Sequence, residues 1–136
     1  MLNDLPLVLM TKIYKNYLKK QSLLHNEYGL TEQQVVFLMI IFKNDRVIRM
    51  TDITEQLGID KSNTTRTIKQ LENKGYIIKD LSHNQRKYPI SLSLAGQKLM
   101  QQIYEIQMAE KGWIFSSFTE TEIAVIEKFI LKIIGD

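Results

Sequence analysis

Ser62, Asn63, Thr65, Arg66, Lys69 and Gln70 are the side chains of this chain whose types and spacing could do chemistry. All six fall within Lys61 to Gly75, KSNTTRTIKQLENKG, which the periodicity predicts as one helix. Thr64, Ile68 and Leu71 recur at i, i+4 and i+7, a narrow face that can dock on a core. The six polar residues fall largely elsewhere on the wheel, and none of them favours burial. Their chemistry is recognition rather than bond making: Ser, Asn, Thr, Arg and Lys supply hydrogen bonds suited to base edges and phosphates. The same pattern also fits an ordinary surface helix with a solvated polar face. Asp60 can accept from the first free N–H groups as N-cap, and Gly75 can supply the left-handed stop.

The elements around that helix sharpen the reading. Residues 5–27 read as a long first helix with an apolar stripe that includes Leu9, Ile13 and Tyr17; at ~1.5 Å per residue it spans roughly 35 Å. Gly29 stops it. Thr31 and Gln34 form a capping-box pattern before a nearly unbroken apolar run from Val35 to Phe42, expected to be a helix buried on all sides. Arg46–Met50 reads as a short strand. Thr51 opens a short third helix with Ile53 and Leu57 inward and Gly58 at its end. A tight turn then leads into the helix at 61, the layout of a helix-turn-helix.

Beyond Gly75 the period changes. Residues 76–80 and 88–92 read as strands joined by the polar segment Ser82–Lys87, and Pro89 suits an edge strand. Two strands with a basic loop after a helix-turn-helix make a winged helix. Leu94 to about Phe118 reads as a second long helix. Thr119 and Glu122 form another capping box opening a last helix, whose apolar positions include Ile126, Phe129, Ile130 and Ile133. A terminal helix this apolar cannot cover itself on one neighbour, and a subunit interface is the natural sink. The fold class is therefore mainly α with a small β-wing: a winged helix-turn-helix flanked by long N- and C-terminal helices.

The 136 residues suit one domain, and their net charge is +3. The charge is uneven. Residues 60–90 carry 7 Lys/Arg against 3 Asp/Glu, net +4, while residues 91–136 carry 4 against 6, net −2. A local positive excess on the helix and wing is the footprint of something that meets phosphate. There is no cysteine, so disulfides, thiolate metal sites and cysteine redox switches are excluded within the chain. The basic residues of the N-terminal segment follow its apolar run, the reverse of a secretory signal. No apolar run has the length of a membrane span. A cytoplasmic protein without membrane contact is expected.

No catalytic constellation appears, and neither metal nor cofactor is expected. The two histidines, His25 and His83, are far apart, and the carboxylates are scattered singly. An enzyme is not indicated.

Over essentially its full length the chain resembles the MarR family of bacterial transcription regulators. The matches are Gly29-Leu30-Thr31 followed by Gln34 and Leu38, then Leu57-Gly58-Ile59, Thr64-Thr65-Arg66, Ile68, Leu71-Glu72 and Lys74-Gly75-Tyr76-Ile77. The most diagnostic is the wing pattern Asp-x-Arg, a strand, then Leu-Thr-x-x-Gly. It reads here Asn84-Gln85-Arg86, a strand, then Leu92-Ser93-Leu94-Ala95-Gly96. Ser93 keeps a capping hydroxyl where the family has Thr. Asn84 replaces an Asp that would pair with the arginine, leaving only a neutral hydrogen bond.

The resemblance implies a homodimer on a pseudo-palindromic operator, with the helix at 61–74 in the major groove of double-stranded DNA and the wing tip in the minor groove. Residues 1–30 and 94–136 would form the helical dimerisation region, and 31–93 the winged helix-turn-helix. Arg66 is the leading candidate for a base edge, with Asn63 and Thr65 behind it. Lys61, Ser62 and Lys69 suit phosphates; Arg86 suits a narrow minor groove and Lys87 a phosphate. Leu9, Ile13, Ile126, Phe129, Ile130 and Ile133 are the expected dimer contacts. Many members release DNA on binding a small organic effector, for which Tyr17, His25, Tyr28 and Tyr88 are candidate pocket residues; each also fits an aromatic core or surface role. The function expected is that of a sequence-specific regulator, most simply a repressor. The rivals are a winged-helix dimer kept as a protein-interaction module (an anti-repressor) and a non-specific DNA-binding protein.

Overall fold

The computed structural model describes residues 5–44, 48–80, 89–109 and 117–135. Among the described residues six helices and three strands follow in order: α1 (Leu5–Tyr28), α2 (Glu32–Lys43), β1 (Ile48–Arg49), α3 (Met50–Leu57), α4 (Lys61–Asn73), β2 (Ile77–Lys79), β3 (Pro89–Leu92), α5 (Leu94–Ala109) and α6 (Glu120–Ile134). The mostly helical chain with its small antiparallel sheet is the winged-helix architecture expected. None of the described helices is long and apolar enough to cross a membrane.

Two compact units divide the chain, residues 21–104 and residues 1–20 with 105–136. In the first, the core is assembled from α2, α3, α4, the sheet and the first turns of α5. Phe37, Leu38, Ile53, Ile68, Leu71, Ile90 and Ile103 are fully buried there. The capping box at Thr31 and Gln34 starts α2 as the sequence predicts. Buried Val35, Phe37, Leu38, Ile40 and Ile41 seat that helix. Val36, Met39 and Phe42 are only half-buried, so α2 is central without being enclosed on every side.

The sheet corrects one expectation. Its order is β1-β3-β2, both pairings antiparallel. β3, expected at an edge because of Pro89, is the middle strand. The reason is positional: Pro89 is the first residue of the strand, where its missing N–H costs no ladder bond. Its carbonyl still accepts from the Asp80 N–H at 3.0 Å. Arg49 stands opposite Pro89 and Ile48 opposite Ile90, while Ile77, Ile78 and Lys79 face Leu92, Ser91 and Ile90.

Helix α3 begins at Met50, one residue before the expected Thr51. Leu57, expected inward, is half-buried. The second long helix was expected to reach about Phe118. It is described to Ala109, and Phe118 lies outside any helix; Gly112, Trp113 and Ile114 are outside the described residues.

The other unit is different in kind. Among the described residues every buried side chain lies between Leu24 and Ile103. Helix α6 has its capping box at Thr119 and Glu122, yet buries no residue. Phe129 is 55% exposed and Ile133 68%. On α1, Leu7, Leu9, Met10, Ile13 and Tyr14 are likewise exposed.

Candidate nucleic-acid interface

Helix α4 is held by its own ends and by one face. Asp60 caps it, Oδ1 accepting from the Asn63 N–H at 2.7 Å. At the other end the Tyr76 N–H donates to the Leu71 carbonyl and the Gly75 N–H to that of Glu72. This double closure requires the left-handed backbone of Gly75, at φ +81°. Thr64, Thr67, Ile68 and Leu71 are buried, which adds Thr67 to the predicted docking face. Thr64 is a polar residue in a dry place, and it is satisfied there. Its Oγ1 lies 2.8 Å from Thr54 Oγ1 on α3 and donates to the Asp60 carbonyl at 3.3 Å. That chain of hydroxyls pins the helix-turn-helix crossing.

The opposite face is open. Lys61, Ser62, Thr65, Arg66 and Lys69 are exposed, and Asn63 is half-buried. Their hydroxyls are already committed as donors. Ser62 Oγ donates to Asp60 Oδ1 at 2.8 Å, and Thr65 Oγ1 to the Lys61 carbonyl at 2.9 Å. Thr65 therefore presents a methyl group and an acceptor lone pair, and Ser62 must turn its hydroxyl to meet a phosphate. Hydrogen bonds from the Asn63 backbone and the Ser62 hydroxyl, with the Arg66 charge adding to them, hold the Asp60 carboxyl below its ordinary value of 3.8.

Arg66 is steadied from its own helix, Nη2 donating to Asn63 Oδ1 at 2.7 Å. Gln33 of α2 reaches the same oxygen, Nε2 donating at 3.2 Å. Beside them lies an open cavity of about 630 Å³ whose lining includes Gln33, Val36, Leu57, Ile59, Asn63 and Arg66. The placing of α2 against α4 is fixed by buried Gln34. Its Nε2 donates to Gln70 Oε1 at 3.0 Å, and its Oε1 accepts from Lys74 Nζ at 3.2 Å. Lys74 Nζ also donates to the Gly29 carbonyl at 2.6 Å.

The joint between α4 and α5 is as tight. Ser93 Oγ donates to the Gly75 carbonyl and accepts from the Gly96 N–H at 3.0 Å, capping α5. The Ser93 N–H donates to the Tyr76 carbonyl. Gly96 has to be glycine: a Cβ there would stand 2.1 Å from the Tyr76 carbonyl oxygen.

Known proteins resemble this chain in sequence and in fold. The family model described as MarR family matches residues 30–87. The chain is 32% identical over 96 residues to the HTH-type transcriptional regulator BilQ of Clostridioides difficile, covering 70% of this chain and 64% of that protein. It is 30% identical over 112 residues to the HTH-type transcriptional regulator SarZ of Staphylococcus aureus, covering 82% of this chain and 68% of SarZ.

The chain belongs to the MarR family.

It spans about two thirds of the length of these curated relatives, which are named as regulators rather than enzymes. The structure of the Staphylococcus aureus MepR–DNA complex shares the MarR-family fold with it, at a TM-score of 0.74 and 18% identity over 94% of each chain.

Six of the eight residues assigned to nucleic acid, Lys61, Ser62, Asn63, Thr65, Arg66 and Lys69, sit together on or beside the open face of α4. Arg86 and Lys87 lie outside the described residues, as does Tyr88 of the suggested effector set. Tyr17 belongs to one compact unit, and His25 and Tyr28 to the other. His25 is exposed, its Nδ1 3.1 Å from the Leu30 carbonyl oxygen; Tyr28 is half-buried. Sequence reasoning missed Gln33, and it named Gln70 and Lys74 without their partners. Their partners are 30 to 45 residues away, and no local pattern signals such contacts. Gln34 was legible as a cap but not as a bridge.

Proposed function

We propose that this protein is a sequence-specific DNA-binding transcriptional regulator acting as a repressor, and that it binds an inverted-repeat operator as a homodimer. One observation carries the reading: α4 buries Thr64, Thr67, Ile68 and Leu71 and turns Lys61, Thr65, Arg66 and Lys69 outward. A helix anchored in this way can enter a major groove without losing its seat. Arg66 would take a base edge, while Lys61 and Lys69 would take phosphates. Arg86 and Lys87, between β2 and β3 in sequence, would flank it on the minor groove. The DNA bound in the MepR structure supports the same use of the fold.

The exposed apolar side chains of α1 and α6 support a dimer built on Leu9, Ile13, Ile126, Phe129, Ile130 and Ile133. Two copies related by a twofold axis would then read two half-sites. A repressor of this kind works in the cytoplasm, occupying promoter DNA that polymerase needs. Its release signal would be a small organic molecule near Tyr17, His25, Tyr28 and Tyr88, since the chain has no cysteine for an oxidant and only two histidines for a metal.

Selection of bound sequences from a random DNA pool tests the reading. An enriched inverted repeat is expected. Binding without enrichment would favour a non-specific DNA-binding protein, and no binding a protein-interaction module.

A further inference from the structure

Asn63 Oδ1 is shared by two donors from different directions: Arg66 Nη2 at 2.7 Å on its own helix and Gln33 Nε2 at 3.2 Å from α2. An amide oxygen has two lone pairs, so its acceptor capacity is used. What the pair has left for a base edge is donors only, the Asn63 amide N–H groups and the remaining guanidinium N–H groups. Guanine offers two acceptors in the major groove, N7 and O6; adenine offers one acceptor, N7, and one donor, the N6 amino group. An asparagine reads adenine by accepting from N6 while donating to N7. Here that acceptor is occupied.

Gln33 is well placed to impose this. It stands in the first turn of α2, which the Thr31–Gln34 capping box fixes. Gln34, bonded to Gln70 and Lys74, ties that turn to α4. We propose that Gln33 is a positioning residue for base selection: without touching DNA, it holds Asn63 and Arg66 as a donor-only pair that prefers guanine and rejects adenine at one position of each half-site. The proposal rests on the DNA-reading function proposed above and names a determinant of its specificity.

The experiment combines selection from a random DNA pool with titrations against operators carrying G or A at that position. Gln33→Ala and Gln33→Met are compared, the second keeping side-chain length and packing while removing the donor. The wild type should prefer G. Both variants should lose roughly fivefold of that preference, the scale of one hydrogen bond, with the salt dependence of binding unchanged because no charge is altered. In an Asn63→Ala background the Gln33 variants should have no further effect on base preference. A purely structural role would instead lower affinity for all sequences alike. A wild-type motif that both variants leave unchanged, or a change of preference that persists without Asn63, overturns the proposal alone. A wild type that enriches no sequence overturns the DNA-reading function and this proposal with it.

Discussion

Helices α4 and α6 are built with equal care at their ends and are treated in opposite ways by the rest of the chain. Both have a side-chain cap at the N-terminus and a left-handed glycine past the last turn. Helix α4 is the more polar of the two, yet it buries four residues. Helix α6 is rich in Ile, Val, Leu and Phe, yet it buries none. Local capping therefore says where a helix begins and stops, and nothing about what covers it. The polar helix is finished within one chain, and its unburied face is the part available for recognition. The apolar helix leaves that surface uncovered, and water on so much aliphatic surface is unfavourable at ~25 cal/mol per Å².

The contrast breaks most decisively at Phe129. Phe129→Asp sets a charge on the apolar face, and against a second copy it would be buried without a partner, at a cost of several kcal/mol. Light scattering at micromolar concentration should show a dimer for the wild type and a monomer for the variant. A monomeric wild type would mean that α6 tolerates its exposure, and the comparison would lose its meaning.

Leu71→Ala probes the other helix. Leu71 is fully buried, so the cavity should cost about 2–5 kcal/mol in urea unfolding. A loss near zero would show that α4 is not seated as described.

The open face is sharpened by a pair of variants. Arg66→Ala should cost ~1–3 kcal/mol of specific binding and relax one base position per half-site. Lys69→Ala should weaken all sequences about equally and lower the salt slope by roughly one. Titrations over a range of salt separate the two, and an unchanged motif in Arg66→Ala would remove Arg66 from base reading.

The smallest effect concerns the caps. The carboxyl of Asp60 is held below its ordinary value by the Asn63 N–H and the Ser62 hydroxyl, so the folded state favours its ionised form. That contribution is complete above the ordinary carboxylate pKa and is lost as pH falls through the lowered one. Asp60→Asn keeps a capping oxygen that does not titrate. Its stability, followed by circular dichroism from pH 6 to pH 2, should fall less in the acid limb than that of the wild type.

The legible parts of this fold were those set by neighbours in sequence. The capping boxes at Thr31–Gln34 and Thr119–Glu122, the stop at Gly75 and the face of Thr64, Ile68 and Leu71 all follow from residues within one or two turns of each other. The rank of β3 was not legible, because it depends on Ile48 and Arg49, a two-residue strand some 40 positions upstream. The burial of Gln34 was hidden for the same reason, since Gln70 and Lys74 satisfy its amide from far along the chain; Thr67 was hidden because a hydroxyl that bonds the Asn63 carbonyl on its own helix can be buried despite its polar type. Within the site, the exposed cations were readable from type and period. The hydrogen bond from Gln33 to Asn63 was not, because its donor belongs to another helix.

The close approach of Gly96 to Tyr76 bears on how the protein would respond to random mutagenesis. Around it Leu94, Ala95, Gln97 and Lys98 are exposed, and exchanges there should pass a genetic screen unnoticed. Position 96 has no such latitude: any side chain must push aside the backbone of Tyr76, between α4 and β2. Mutants selected for lost regulation should therefore include changes at this glycine, on a turn that need not touch the operator at all. Their defect would follow temperature rather than DNA sequence, as a misfit in the frame that carries α4.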